Sequence, residues 1–161
     1  MNDYRPHMNG YPKGFLPALI TTSLLVITTG LLLIPAFLIF RMEQEQDWLM
    51  NLSIASGSLR HTLTTLHAVF GWAMVWFIGA LWTIHIRSHW RRHENRTNGL
   101  VFVGIWLLLI ISALGIYYFG DPDWSKTSSL LHVIVGLTVP FMLIAHKIIG
   151  KKSLKSSTQR R

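Results

Sequence analysis

The chain has no cysteine in its 161 residues. That excludes disulfides, thiolate metal sites, iron–sulfur ligation and covalently attached c-type haem, which needs a C-x-x-C-H run. Acidic residues are scarce too: seven Asp and Glu stand against fifteen Lys and Arg, a net charge of +8. All seven fall in tails or loops on the reading below. A proton or metal-ion permease built on intramembrane carboxylates is therefore disfavoured. No nucleophile–base pair and no glycine-rich phosphate loop appears, so catalysis beyond redox chemistry is not expected. No A-x-A-like cleavage site follows the first apolar run, which reads as a retained span rather than a removed signal.

What the chain does have is long apolar stretches, in a composition that is 50% hydrophobic. The windows 15–40, 61–86, 100–119 and 128–149 are almost free of charge. A hydrocarbon core of about 30 Å takes about 20 helical residues to cross. The expected fold is all-α: an integral membrane four-helix bundle made of two pseudo-repeated helical hairpins. Residues 1–14 form a tail, 15–150 the four-span domain and 151–161 a basic tail.

The basic residues follow this topology. Arg5, Lys13, Arg87, Arg91, Arg92, Arg96, Lys147, Lys151, Lys152, Lys155, Arg160 and Arg161 share one side, while only Arg41, Arg60 and Lys126 share the other. The positive-inside rule then places both termini in the cytoplasm of a bacterial inner membrane, with loops 41–60 and 120–127 outside. The positive charge is a topology signal, with contacts to anionic lipid head groups, and nucleic acid is not an expected partner.

Pro17 falls in the first turn of span one, where its missing N–H costs little, and Pro35 should kink that span. Thr28, Thr29 and Gly30 make a small patch that admits a close neighbour, whether a helix or a flat ligand. Loop 41–60, with Glu43, Glu45, Asp47 and Trp48, reads by default as solvated. It is also long enough for a short surface helix anchored by Trp48, and its acidic character suits a basic soluble partner. Asp121-Pro122 starts a turn, and Trp124 marks the interface. An internal repeat is visible: TTG in span one and LHAVFG in span two are echoed by SALG in span three and LHVIVG in span four. Spans two and four then run in the same direction.

Both carry histidines at two depths. His67 and His85 lie 18 residues apart, five turns at about 3.6 residues per turn, and so share a face. His132 and His146 lie 14 apart, within about 40° of one stripe. A lone histidine near a helix end is usually an interfacial or capping residue. Four on two inward faces instead suggest axial ligands, His67 with His132 near the outer side and His85 with His146 near the inner side. Two bis-histidine b-type haems would fit between them. The two levels are about 27 Å apart along span two and about 21 Å along span four, a mismatch of one turn that tilt or a kink at Pro140 can absorb. His89 is the rival inner ligand; His7, His61 and His93 read as surface residues.

Gly71 and Gly136, each one turn beyond an outer histidine, leave room for a macrocycle edge. Thr64 and Ser128, or backbone carbonyls, are candidates to hold the second ring nitrogens. Arg60 and Lys126 outside, with Arg87 and Lys147 inside, are placed to meet propionates.

The motifs TTG, LHAVFGW through HIRSHW, and LLHVIVG through HK resemble those of the small four-helix bacterial di-haem cytochromes b. They are also similar to the cytochrome b subunits of hydrogenases and formate dehydrogenases. The resemblance spans residues 15–150. It implies haem b at His67, His132, His85 and His146, and electron transfer between the quinone pool and a partner redox protein. It also implies a respiratory-chain role, either alone or as the cytochrome b subunit of a larger quinone-linked oxidoreductase. The 18-residue spacing in span two departs from the 14 of span four. The rival reading is a non-redox membrane anchor or assembly subunit, with the permease further behind.

Overall fold

The structure is a computed structural model and describes residues 12–83 and 96–158, with side chains up to Ile149. Every regular element among the described residues is helical: α1 (Phe15–Leu32), α2 (Ile34–Phe40), α3 (Asp47–Met50), α4 (Gly57–Leu81), α5 (Arg96–Tyr118) and α6 (Pro122–Thr158). The expected all-α four-span bundle is what forms. Phe15–Phe40, Gly57–Leu81, Arg96–Tyr118 and Pro122–Ile149 are each long and apolar enough to cross a membrane.

The first span is broken where expected. Pro35 has no N–H to donate and its ring crowds the carbonyl one turn back. The chain tightens there, and the Leu33 N–H reaches both Thr29 O and Gly30 O at 3.2 Å. α6 starts on an Asp cap: Asp121 Oδ1 accepts the N–H groups of Asp123 and Trp124, each at 3.0 Å, with Pro122 at the first helical position. It then runs through Pro140 to Thr158. In α4 the hydroxyls of Thr62, Thr64 and Thr65 donate to the carbonyls of Ser58, Arg60 and His61 one turn back. This hides polar groups that hydrocarbon cannot solvate.

Packing is closest within two hairpins, α1 with α4 and α5 with α6, and α1 also meets α6. Small residues set the second hairpin. Gly115 lies against Ser128, and Ser125 Oγ donates to Ile116 O at 3.1 Å. In the first hairpin, Ser23 Oγ donates to Leu19 O at 2.8 Å and touches Met74 Sδ at 3.6 Å, while Phe15 meets Phe77 edge-on. Met74, Trp106, Leu109 and Val139 make the shared core, with Leu19, Val26 and Ile27 of α1 packed on it. Most other apolar side chains of the spans point outward, as a lipid-facing surface requires.

Loop 41–56 differs from the solvated loop expected by default. It contains α3, and its Leu49 and Ala55 are the most completely buried core side chains among the described residues, 2% and 0% exposed. Trp48 points away from the core, as its expected anchoring role at an interface requires.

Candidate functional site: an imidazole pair between the hairpins

His67 on α4 and His132 on α6 come together inside the bundle. Their ring centroids are 6.1 Å apart and the ring planes cross at 88°. The expected partnership of these two residues is thus met in space, and each ring is held by the other helix of its own hairpin.

On α1, Thr29 Oγ1 lies 3.1 Å from His67 Nδ1. The single hydroxyl hydrogen of Thr29 is directed to its own helix, with Leu25 O at 2.7 Å and Val26 O at 3.1 Å. The oxygen can then only accept from the ring, so His67 carries its proton on Nδ1. On α5 the same logic repeats. His132 Nδ1 lies 3.1 Å from Leu109 O, which can only accept, and 3.0 Å from Ser112 Oγ. The Ser112 hydroxyl itself donates to Leu109 O at 3.1 Å. His132 is likewise the Nδ1–H tautomer.

The lone pair of each ring then lies on Nε2. Neither Nε2 has a hydrogen-bond partner among the described residues. Ligation by one nitrogen with the other fixed through a hydrogen bond is how proteins orient metal-binding imidazoles.

The spacing is of the right size for an ion. A metal sits about 2 Å from a ligating imidazole nitrogen and the ring centroid about 1 Å further back, so two rings gripping one ion from opposite sides have centroids about 6 Å apart. No group of three or more His, Cys, Asp or Glu forms among the described residues.

Gly30 explains why span one carries a small patch. A β-carbon there would stand 3.1 Å from His67 Cε1 and 3.6 Å from Nδ1, so the ring is seated on bare backbone. Gly71, one turn beyond His67, has nothing within 4 Å of where its β-carbon would be, and Gly136 has only Leu109 Cδ2 at 3.8 Å. Both leave lateral space beside the rings.

Thr64 and Ser128 do not hold the ring nitrogens. Thr64 is committed to Arg60 O at 2.9 Å, and Ser128 packs on Gly115. The residues missed from sequence are Thr29 and Ser112. The repeat holds the signal for them: a hydroxyl stands just before the glycine of TTG and opens SALG, and both place it against the histidine of the following span.

The two cations above this level are engaged elsewhere. The Arg60 guanidinium sits 4.4 Å from the centre of the Phe40 ring, and Lys126 Nζ pairs with Glu43 Oε1 at 3.2 Å. Both arrangements are solvent-facing and worth little energy, so either cation can turn to a stronger anion.

At the opposite end of α6, His146 lies with its Nδ1 3.0 Å from Asn98 Nδ2 of α5 and its ring stacked on Phe102, centroids 4.8 Å apart at 23°. Here the pseudo-symmetry breaks. The α4 residue as far from His67 as His146 is from His132 is Leu81. His85, Arg87, His89 and His93 lie outside the described residues, as does His7. His61 is exposed, as expected of a surface histidine.

The hydrogen bonds give a direct test. Thr29→Val removes the hydroxyl beside His67 Nδ1 and leaves the Val26 backbone as its partner, as Ser112→Ala leaves Leu109 O to His132; each is expected to weaken metal-group binding at this level by no more than about 10-fold, measured by titration of each purified variant with haemin. Comparison of the chain with protein-family models, with curated proteins and with solved structures returns no match.

Proposed function

We propose that this chain is a membrane electron carrier of the cytochrome b type, in which His67 and His132 would hold a haem b. The observation that carries the reading is the pair of imidazoles 6.1 Å apart, both fixed as Nδ1–H tautomers by acceptors on the neighbouring helix. A bound haem would supply a reversible one-electron couple. The protein's part is to present two neutral nitrogen ligands, seat the macrocycle beside Gly71 and Gly136, and keep water out. Arg60 and Lys126, once turned from Phe40 and Glu43, would take its propionates.

A second haem would lie at the level of His146, with His85 or His89 as its other ligand and Arg87 nearby. Two such centres at opposite depths would carry electrons between a quinone on one side and a partner redox protein on the other. On this reading both termini face the cytoplasm of a bacterial inner membrane, and the loop 41–56 end faces outward.

Purified protein is expected to be red, with a Soret band that shifts and sharpens on dithionite reduction, and pyridine haemochrome analysis should return haem b. A colourless, folded protein that takes up no added haemin would instead establish the anchor reading.

A further inference from the structure

The outward face of α4 is built differently from those of the other spans. Along α1, α5 and α6 the large side chains turned away from the bundle in mid-span are mostly aliphatic, such as Leu24, Ile111 and Ile144, as hydrocarbon tails require. α4 is the least apolar of the four spans. Its outward stripe runs Thr65, Val69, Trp72, Trp76, Gly79 and Thr83, all exposed, in alternating steps of four and three residues. That is the spacing of a seam along which two near-parallel helices pack.

Two members of this stripe are out of place against lipid. Trp72 and Trp76 are 72% and 81% exposed and lie in the middle third of the uncharged run 61–86. By helical rise they stand about 18 and 24 Å along α4 from Arg60. Tryptophan in membrane proteins gathers at the two water interfaces, where its indole N–H finds an acceptor. Trp48 and Trp124 follow that rule near the outer helix ends, and Trp106 is buried in the core. Trp72 and Trp76 do neither. Hydrocarbon tails offer an indole no acceptor and no ring to stack on, so a protein surface is the better cover.

The stripe itself indicates which protein. A two-fold axis along the membrane normal keeps two copies in the same orientation, so residues of α4 meet their own counterparts at one depth. Each indole then finds others at its own level, edge turned to ring face, a preferred aromatic geometry. Gly79, one turn from Trp76, has nothing within 4 Å of where a β-carbon would stand, so a second backbone can approach there. The helices would close at Gly79 and open towards the indoles, which fill the widening gap. Thr65 and Thr83 do not oppose this contact, because their hydroxyls already donate to His61 O at 3.0 Å and Ala80 O at 2.9 Å. Two exposed indoles bring roughly 250–400 Å² from each copy, a third to a half of the about 800 Å² that a stable pair buries per partner.

We propose that this chain pairs with a second copy of itself through the Trp72–Trp76–Gly79 stripe of α4, about a two-fold axis along the membrane normal. The pairing rests on the membrane spans and not on the haem reading.

The chain has no cysteine, so one introduced thiol reports alone. In lipid vesicles at low protein density, Thr83→Cys protein should form a disulfide-linked pair on mild oxidation. Ile144→Cys, whose side chain points outward on α6, should link at least fivefold more slowly. Adding Trp72→Leu and Trp76→Leu to Thr83→Cys should bring its rate down to that of Ile144→Cys. Gly79→Leu should do the same by holding the backbones apart.

Equal rates for Thr83→Cys and Ile144→Cys in the otherwise parental chain would overturn the pairing, whatever the further variants do. Linking at Thr83→Cys that survives both the tryptophan and the glycine changes would overturn the stripe as its cause. A benzophenone carried on the same thiol and photolysed in whole membranes identifies the occupant. A product of twice the 18.4 kDa of one chain supports the second copy. Lipid adducts alone, or a product of another mass in its place, would put something else on this face and end the proposal.

Discussion

His67→Ala and His132→Ala are each expected to remove one and the same haem and to spare the other. On the proposed reading each ring would supply one of two nitrogen ligands to the same haem, the two rings being 6.1 Å apart, and no group of three or more His, Cys, Asp or Glu forms among the described residues to replace either. The expected result is haem content falling from two per chain to one in either variant, and to the same one in the double variant. Loss of both haems, or of neither, counts against the pairing. Pyridine haemochrome titration gives the count, and a redox titration identifies which potential has vanished. Deleting either ring leaves the second lone pair with no metal to share, so the two single variants should not differ in kind.

The second large effect concerns the hairpin that carries His132. A β-carbon at Gly115 would collide with the hydroxyl of Ser128 and stand 2.9 Å from both Ser128 Cβ and Phe119 Cε2. Phe119 can swing away; the Ser128 Cβ is fixed to the helix and cannot. Gly115→Ala must therefore push α5 and α6 apart, and overpacking of this kind costs about 1–3 kcal/mol. Ser128→Gly removes the obstructing atoms, so the double variant should recover a large part of the loss. That coupling is what distinguishes a crossing-point clash from a general dislike of alanine. Thermal or denaturant unfolding in detergent would measure both. A Gly115→Ala protein as stable as the parent would mean that the helices do not cross this closely.

Four spans and the approach of His67 to His132 could be read from the chain alone, because hydrocarbon thickness and the 3.6-residue period act on local sequence. The partners of His67 and His132 could not be read in the same way. Intrahelical neighbours such as Thr64 looked suitable by spacing, but a threonine in an apolar helix spends its hydrogen on the carbonyl one turn back, as Thr64 does on Arg60. Thr29 does the same with Leu25 and keeps its lone pairs for a ring on another helix. Only hairpin packing decides which hydroxyl meets an imidazole. The burial of Leu49 was hidden for a related reason: it lies between polar residues with no period, in a stretch whose charges suggest solvent. At the other end, the one-turn mismatch between 18 and 14 residues leaves Leu81 where the repeat would have put a histidine.

Each imidazole is fastened to a helix of its own hairpin: His67 to Thr29, His132 to Leu109 and Ser112. The distance between the two nitrogens is therefore set by how the hairpins lean on each other, like the gap between the jaws of a clamp whose teeth are welded in place. Lateral pressure from the surrounding lipid, acting on the jaws, would widen or narrow that gap without loosening a single tooth.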